Sequence, residues 1–145
     1  MERRTFLTAG LGFGALFAAG SVYAAWPKDA FESKESDALI DMLAGSKPAP
    51  SDAIIITAPD IAENGAVVPI SVSTTLEDVT RISIVVEQNP LPLTSIYDLT
   101  PNSVPYVSTR VKMLKTSNVV ALVEAGGKSY SGVREVKVTI GGCGG

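Results

Sequence analysis

Phe31, Ala38, Leu39, Met42 and Leu43 recur at three- and four-residue intervals, with Lys34, Glu35, Ser36 and Asp41 on the opposite side. That spacing predicts one amphipathic helix, and Gly45 stands where a helix C-cap calls for a left-handed backbone. The run Ser46-Lys-Pro48-Ala-Pro50-Ser51 breaks the period and reads as a linker. From Ala53 onward the apolar period shortens to two. Ile54-Ile55-Ile56 reads as a buried run; Val68, Ile70 and Val72 alternate with Pro69, Ser71 and Ser73; Ile82, Ile84 and Val86 alternate with Ser83, Val85 and Glu87. Residues 106–113, 119–123 and 128–140 continue the series. Asn64-Gly65, Asn89-Pro90-Leu-Pro92, Pro101-Asn102 and Gly126-Gly127 punctuate it, and Gly126-Gly127 is the clearest hairpin turn. Val133 falls out of phase with Val136, Val138 and Ile140, which predicts a bulge near Arg134-Glu135.

Roughly seven short strands with turns every 8–12 residues predict a mainly β fold, an immunoglobulin-like antiparallel β-sandwich with one N-terminal amphipathic helix. The likeness is one of architecture, because the Cys…Trp…Cys core signature of true immunoglobulin domains is absent. A sandwich of about 100 residues with a helix beside it buries enough apolar surface to fold without disulfides.

Composition then removes whole classes of chemistry. The 145 residues include no histidine and a single cysteine. Imidazole metal sites and Ser/His or Cys/His nucleophile pairs are excluded, as are intramolecular disulfides and cysteine-built metal clusters. No catalytic residue and no metal ligand is expected. The net charge of −3 argues against nucleic acid. The one local basic cluster, Arg110-Val-Lys112-Met-Leu-Lys115, is too sparse to form a polyanion-binding stripe.

The first 24 residues stand apart from the fold. Arg3-Arg4-Thr-Phe6-Leu7 opens a basic region, residues 7–22 are apolar with four glycines, and Val22-Tyr23-Ala24 supplies small residues before a cleavage at Ala25. The paired arginines Arg3 and Arg4 and the moderate hydrophobicity favour the twin-arginine export route, with the periplasm of a bacterium as the expected address. An apolar run of roughly 16 residues falls short of the ~20 that span a bilayer, so a retained membrane anchor is the weaker interpretation. The expected organisation is a signal peptide over 1–24, helix and linker over 25–51, sandwich over 52–140 and an arm over 141–145.

That arm, Gly141-Gly142-Cys143-Gly144-Gly145, follows directly on the last apolar-alternating strand. Around Cys143 there are no side chains to pack or to build a catalytic environment, so the arm is read as flexible. At roughly 3.5 Å per extended residue it carries the thiol about 10 Å past Ile140, as a thread narrow enough to enter a deep site on another protein. A free thiol titrates near ~8.5, and the nearest fixed charge in sequence is the terminal carboxylate, which disfavours the thiolate. An unactivated thiol suits a carrier whose chemistry is supplied by whichever enzyme receives it. The alternatives are an incidental terminal cysteine, a disulfide link between copies, and a non-catalytic sandwich that binds a partner and whose thiol merely oxidises. Small β-grasp carriers also end in Gly-Gly, but they are loaded with ATP in the cytoplasm, which the export signal opposes.

These residues together resemble the SoxY family of sulfur carriers over nearly the whole chain. The likeness rests on the twin-arginine leader, Val68-Pro-Ile70, Glu87-Gln-Asn89-Pro90, Val107-Ser-Thr-Arg110-Val-Lys112-Met113, and Val136-Lys-Val-Thr-Ile140 running into the terminal motif. Pro90 and Pro92 around Leu91 depart from the family's usual loop. The resemblance implies that Cys143 is the point of covalent sulfur attachment and that Gly141, Gly142, Gly144 and Gly145 form a swinging arm. It implies no cofactor beyond the sulfur carried on Cys143. It also implies a heterodimer with SoxZ and transient docking to the cytochrome pair SoxAX, the dimanganese hydrolase SoxB and the sulfane dehydrogenase SoxCD. The partner interface is expected on an exposed sheet face.

Twin-arginine export moves folded proteins, yet this chain has no metal or redox group to load beforehand; cytoplasmic assembly with a second subunit supplies the reason. Deleting Arg3 and Arg4 is therefore expected to strand both subunits inside the cell, read by immunoblotting the periplasmic and cytoplasmic fractions. A partner that still reaches the periplasm counts against co-export.

Overall fold

In a computed structural model, residues 27–139 are described. The expected signal peptide with Arg3 and Arg4, and the expected arm with Cys143, lie outside them. The period-two segments become strands and face one another across a single apolar interior. In β4 (Val68–Thr74), Val68, Ile70 and Val72 are buried while Pro69 is exposed. β4 pairs antiparallel with β2 (Ile54–Thr57) on one side and β7 (Tyr106–Val111) on the other, making a three-stranded sheet. Across the interior lies a larger sheet in the order β1-β9-β8-β5-β6, built from β1 (Ala49–Pro50), β5 (Val79–Val86), β6 (Leu93–Asp98), β8 (Ser117–Ala125) and β9 (Lys128–Val138). A further short strand, β3 (Ile61–Ala62), also pairs with β9. Ile54, Ile56, Ile70 and Val107 from one sheet meet Ile82, Ile84, Val119 and Val136 from the other, so the sandwich expected from the sequence is what forms.

The larger sheet is covered on its outer face as well. Two helices, α1 (Lys28–Glu32) and α2 (Ser36–Ala44), place Ala30 and Leu39 on Val85, Leu93, Val120 and Leu122. This second core explains why β5 and β8 depart from clean alternation: Val85, Val120 and Leu122 point away from the sandwich interior yet are buried. α2 ends at Gly45 with φ 67°, the left-handed C-cap the sequence calls for. The β8–β9 hairpin turns on Gly126 and Gly127 at φ 55° and 73°, positive at both central positions as a two-residue turn of this twist requires.

Four details differ from the sequence expectation, each for a physical reason. The single helix is two, because residues 33–35 run extended between α1 and α2 and let both lie flat on the sheet. Met42, counted on the apolar side, is exposed, whereas Ala30, one residue before the counted stripe, is buried. The linker contributes a strand of its own: Ala49 and Pro50 pair parallel with Tyr130 and Ser131 of β9. Ile55, in the middle of the isoleucine run, points outward and is exposed, so β2 is a half-buried strand.

The bulge expected near Arg134-Glu135 is absent. The β8–β9 ladder runs without a register shift from Ala125↔Lys128 to Ser117↔Val136. Val133 needs no bulge because it belongs to the outer face, beside Val120 of the second core. The inner-face position between Gly132 and Val136 is taken by Arg134, whose aliphatic stem continues the apolar row while its guanidinium leaves between the sheets. Nη1 donates to Ile56 O at 3.5 Å and Nη2 to Asp60 Oδ1 at 2.8 Å. Register shifts do occur in β5, between Ile84 and Val85 toward β6 and between Val79 and Arg81 toward β8.

Leu39 is the fully buried side chain that α2 inserts into the second core. Leu39→Ala is expected to cost about 3 kcal/mol, within the usual range for emptying such a site. Urea unfolding followed by circular dichroism should show a lower midpoint at an unchanged slope.

Candidate functional site

The last strand fixes where the chain's terminal segment begins. β9 is anchored to the end of its described length by bonds on both sides. On one side Val138 N donates to Thr116 Oγ1 at 3.0 Å. On the other, Lys137 N donates to Asp60 O at 3.0 Å and Thr139 N to Ala62 O at 3.2 Å, while Thr139 Oγ1 donates to Glu63 O at 3.4 Å. Ile61 and Ala62 reach this position because β3 runs parallel to β9 at Lys137 and Val138. The buried Val136 keeps the strand in register from beneath. Thr139 is thus a fixed root, four residues before Cys143.

Three loops are laced around that root. The loop after β3 turns at Asn64, whose Oδ1 accepts from Ala66 N at 3.0 Å. Gly65 then comes close enough for its carbonyl to accept from Met113 N at 2.7 Å. A Cβ at Gly65 would collide with the Met113 backbone and lie 2.8 Å from Val138 Cγ1, so no larger residue fits between the loop and the root. The loop between β5 and β6 is tied across by Asn89, whose Nδ2 donates to Lys112 O at 2.7 Å and whose Oδ1 accepts from Leu114 N at 3.2 Å. Gln88 N donates to the buried Ser117 Oγ at 3.0 Å, and Asn118 Nδ2 donates to Glu87 Oε2 at 3.0 Å. The prolines whose spacing departed from the family loop fit this arrangement: Pro92 O accepts from Val86 N at 2.8 Å and restores the β5–β6 ladder.

The electrostatic surroundings of the root are mild. Lys112 and Lys115 are exposed, as is Glu63. The displaced titrations lie toward the opposite end of the sandwich. The Arg81 guanidinium is held above its ordinary value by its hydrogen bond to Asp98, partly offset by burial. The Tyr106 hydroxyl is lowered by hydrogen bonds with Ser71 and Ser108. Two concave surfaces among the described residues are also remote. One of about 460 Å³ lies between Leu76, Asp78, Leu99 and Pro105, and one of about 540 Å³ between Asp37, Ile40, Pro48 and Ser131. Among the described residues no group of His, Cys, Asp or Glu could hold a metal ion. The arrangement offers a support hydrogen-bonded on both sides at the end of β9.

The sequence model of a family described as "Sulfur oxidation protein SoxY" matches residues 40–143, most of the chain and ending on the single cysteine. The chain belongs to the SoxY family. No functionally curated protein matches it. Among solved structures it is similar to the sulfur carrier protein SoxY from Chlorobium limicola f thiosulfatophilum, at 50% identity and a TM-score of 0.65 over 72% of this chain and 96% of that one. It is also similar to a superoxide reductase (neelaredoxin) from Ignicoccus hospitalis, at 17% identity and a TM-score of 0.54 over 60% and 80% of the two chains, a likeness of fold alone.

The internal pieces that carry the SoxY resemblance are far apart in sequence and meet around the root. Glu87, Gln88 and Asn89 bind residues 112–118, and residues 136–139 bind Thr116, Ala62 and Glu63. The expected site residues Cys143, Gly141, Gly142, Gly144 and Gly145, like Arg3 and Arg4, lie outside the described residues. Periodicity gave no weight to Gly65 or Asn89, which do the lacing. The available signal was their place in the turn dipeptides Asn64-Gly65 and Asn89-Pro90.

Gly65→Ala is expected to cost about 2 kcal/mol or more, since the added methyl meets backbone that cannot give way. The melting temperature should drop by roughly 8 °C or more, and amide exchange should accelerate first at Val138 and Thr139.

Proposed function

We propose that this SoxY-family chain is a periplasmic sulfur carrier that holds thiosulfate-derived intermediates covalently on Cys143 and presents them to the enzymes of sulfur oxidation. The observation that carries the proposal is that the family match runs through to Cys143, the chain's one thiol, set four residues beyond a doubly anchored strand end. The 50% identity to a sulfur carrier protein supports the same role.

In this cycle the chain is a substrate of other proteins, not an enzyme. The thiol of Cys143 and thiosulfate join through a new S–S bond; the two electrons that leave are taken up by the c-type cytochrome pair SoxAX, and the thiol proton passes to solvent. Water attacks the terminal sulfonate sulfur at the dimanganese hydrolase SoxB, sulfate departs, and the sulfane sulfur remains on Cys143 as a persulfide. In organisms that oxidise it further, the molybdenum–haem sulfane dehydrogenase SoxCD receives that persulfide. The metals belong to the partners, and the only group this chain carries is the sulfur itself. SoxZ is the second subunit of the heterodimer, co-exported by the twin-arginine route. Tethering raises the concentration of reactive sulfur at each active site far above what free diffusion gives. The narrow glycine arm enters channels of unrelated shape because it has no side chains to clash.

Intact mass spectrometry of protein from thiosulfate-fed cells should reveal sulfane and thiosulfonate adducts on the C-terminal peptide that vanish with reductant and in Cys143→Ser. Only glutathione or dimer disulfides would instead mark a binding module with an oxidised thiol. Removing Gly141 and Gly142 should leave the melting temperature unchanged and abolish turnover by shortening the reach.

A further inference from the structure

The end of the sandwich that holds the root carries a surface the fold does not use. Val67, Leu91 and Leu114 come from three different loops and are 50%, 49% and 46% exposed. The lacing described above gathers them. The Gly65–Met113 bond brings the loop bearing Val67 against the neighbour of Leu114, and Asn89 bonds to Leu114 N two residues before Leu91. Thr116, two residues after Leu114, binds Val138 at the root. Scattered exposed apolar side chains are ordinary, but three on converging loops form a patch of the sort that marks an interaction site. Lys112 and Lys115 flank it, and neither ammonium has a partner among the described residues. The nearby carboxylates keep their charges: Glu87 accepts from the neutral Asn118 amide, Glu63 stands on the β3 side of the root, and Glu135 lies exposed across from Asn118. The ammonium groups on either side of Leu114 are thus available to a partner's carboxylates.

We infer that Val67, Leu91 and Leu114, with Lys112 and Lys115 beside them, form the platform on which enzymes seat when they receive Cys143, and that the mouth of such an enzyme's channel is apolar with an acidic rim. The inference rests on the carrier role proposed above. Its geometry is set by reach. Four extended residues separate Cys143 from Thr139, at most about 14 Å, so an enzyme that holds the thiol in its active site must press on this end. The cleft at Leu76 and Pro105 lies a full β8 length away, roughly 26 Å, well outside the arm's reach. The lysines accelerate encounter with an acidic rim, and the small apolar patch supplies contact once seated. A patch this small belongs with transient interfaces, which suits a carrier that must leave each enzyme for the next.

The test uses the full-length chain with its second subunit, loaded with thiosulfate-derived sulfur, and the purified sulfate-releasing hydrolase of the same bacterium, with sulfate release followed against carrier concentration. Lys112→Glu with Lys115→Glu should raise KM about tenfold at low salt and remove its salt dependence. Leu91→Asp with Leu114→Asp should raise KM about tenfold at every salt concentration. Lys34→Glu with Lys128→Glu, the same charge change on the helix side and the hairpin, should keep the original KM. If both platform variants keep the original KM while the unaltered carrier is turned over, the platform is overturned and the carrier role stands. Loss of the second subunit from the variants on gel filtration would assign the surface to the subunit contact and overturn the platform as well. An unaltered protein that takes up no sulfur on Cys143 overturns both.

Discussion

A strand at the edge of a sheet leaves half its peptide groups to water and is free to fray. β9 escapes this on both sides. β8 pairs with it over nine residue pairs, while β1 and β3 cover the opposite edge at its two ends. Between those short strands Arg134 reaches out to Ile56 O and Asp60, so the uncovered middle is bridged by a side chain. Because Val136 is also buried in the sandwich core, the last strand is held in register from beneath. The position of the root, and the convergence of loops around it, follow from that double pairing.

Much of this was legible in the sequence because it obeys local rules. Alternation in β4, the glycine hairpin between β8 and β9, and the C-cap at Gly45 are set by residues next to one another, and each formed where the pattern placed it. The failures came where tertiary packing decided. Ile54-Ile55-Ile56 looks uniformly buried until β2 proves to have an open outer face. Val133 looks out of phase only if β9 is assumed to have one apolar face, whereas Val120 beside it belongs to a second core beneath the helices. A charged residue on the inner face, Arg134, completes the row and hides the phase from a count of apolar residues. The same holds for the root. Glycine-flanked Cys143 is a local signal, but Gly65 and Asn89 matter through contacts with residues 23 or more positions away.

The covering of both faces of β5 and β8 has a bearing on how the chain divides its work. Burial on both sides makes these strands the stiff centre of the molecule, and the clefts and displaced titrations lie away from the root. For the carrier role proposed above, an anchored support fixes the point from which the thiol's reach begins.

The parallel pairing of β3 with β9 also has a mechanical meaning. On the carrier role proposed above, a load applied along the axis of β9 would strain the ladders on both sides lengthwise, so that their bonds resist together. A terminal strand tugged sideways from a free edge would unzip one bond at a time. The doubly paired strand is therefore suited to bearing a lengthwise load without coming undone.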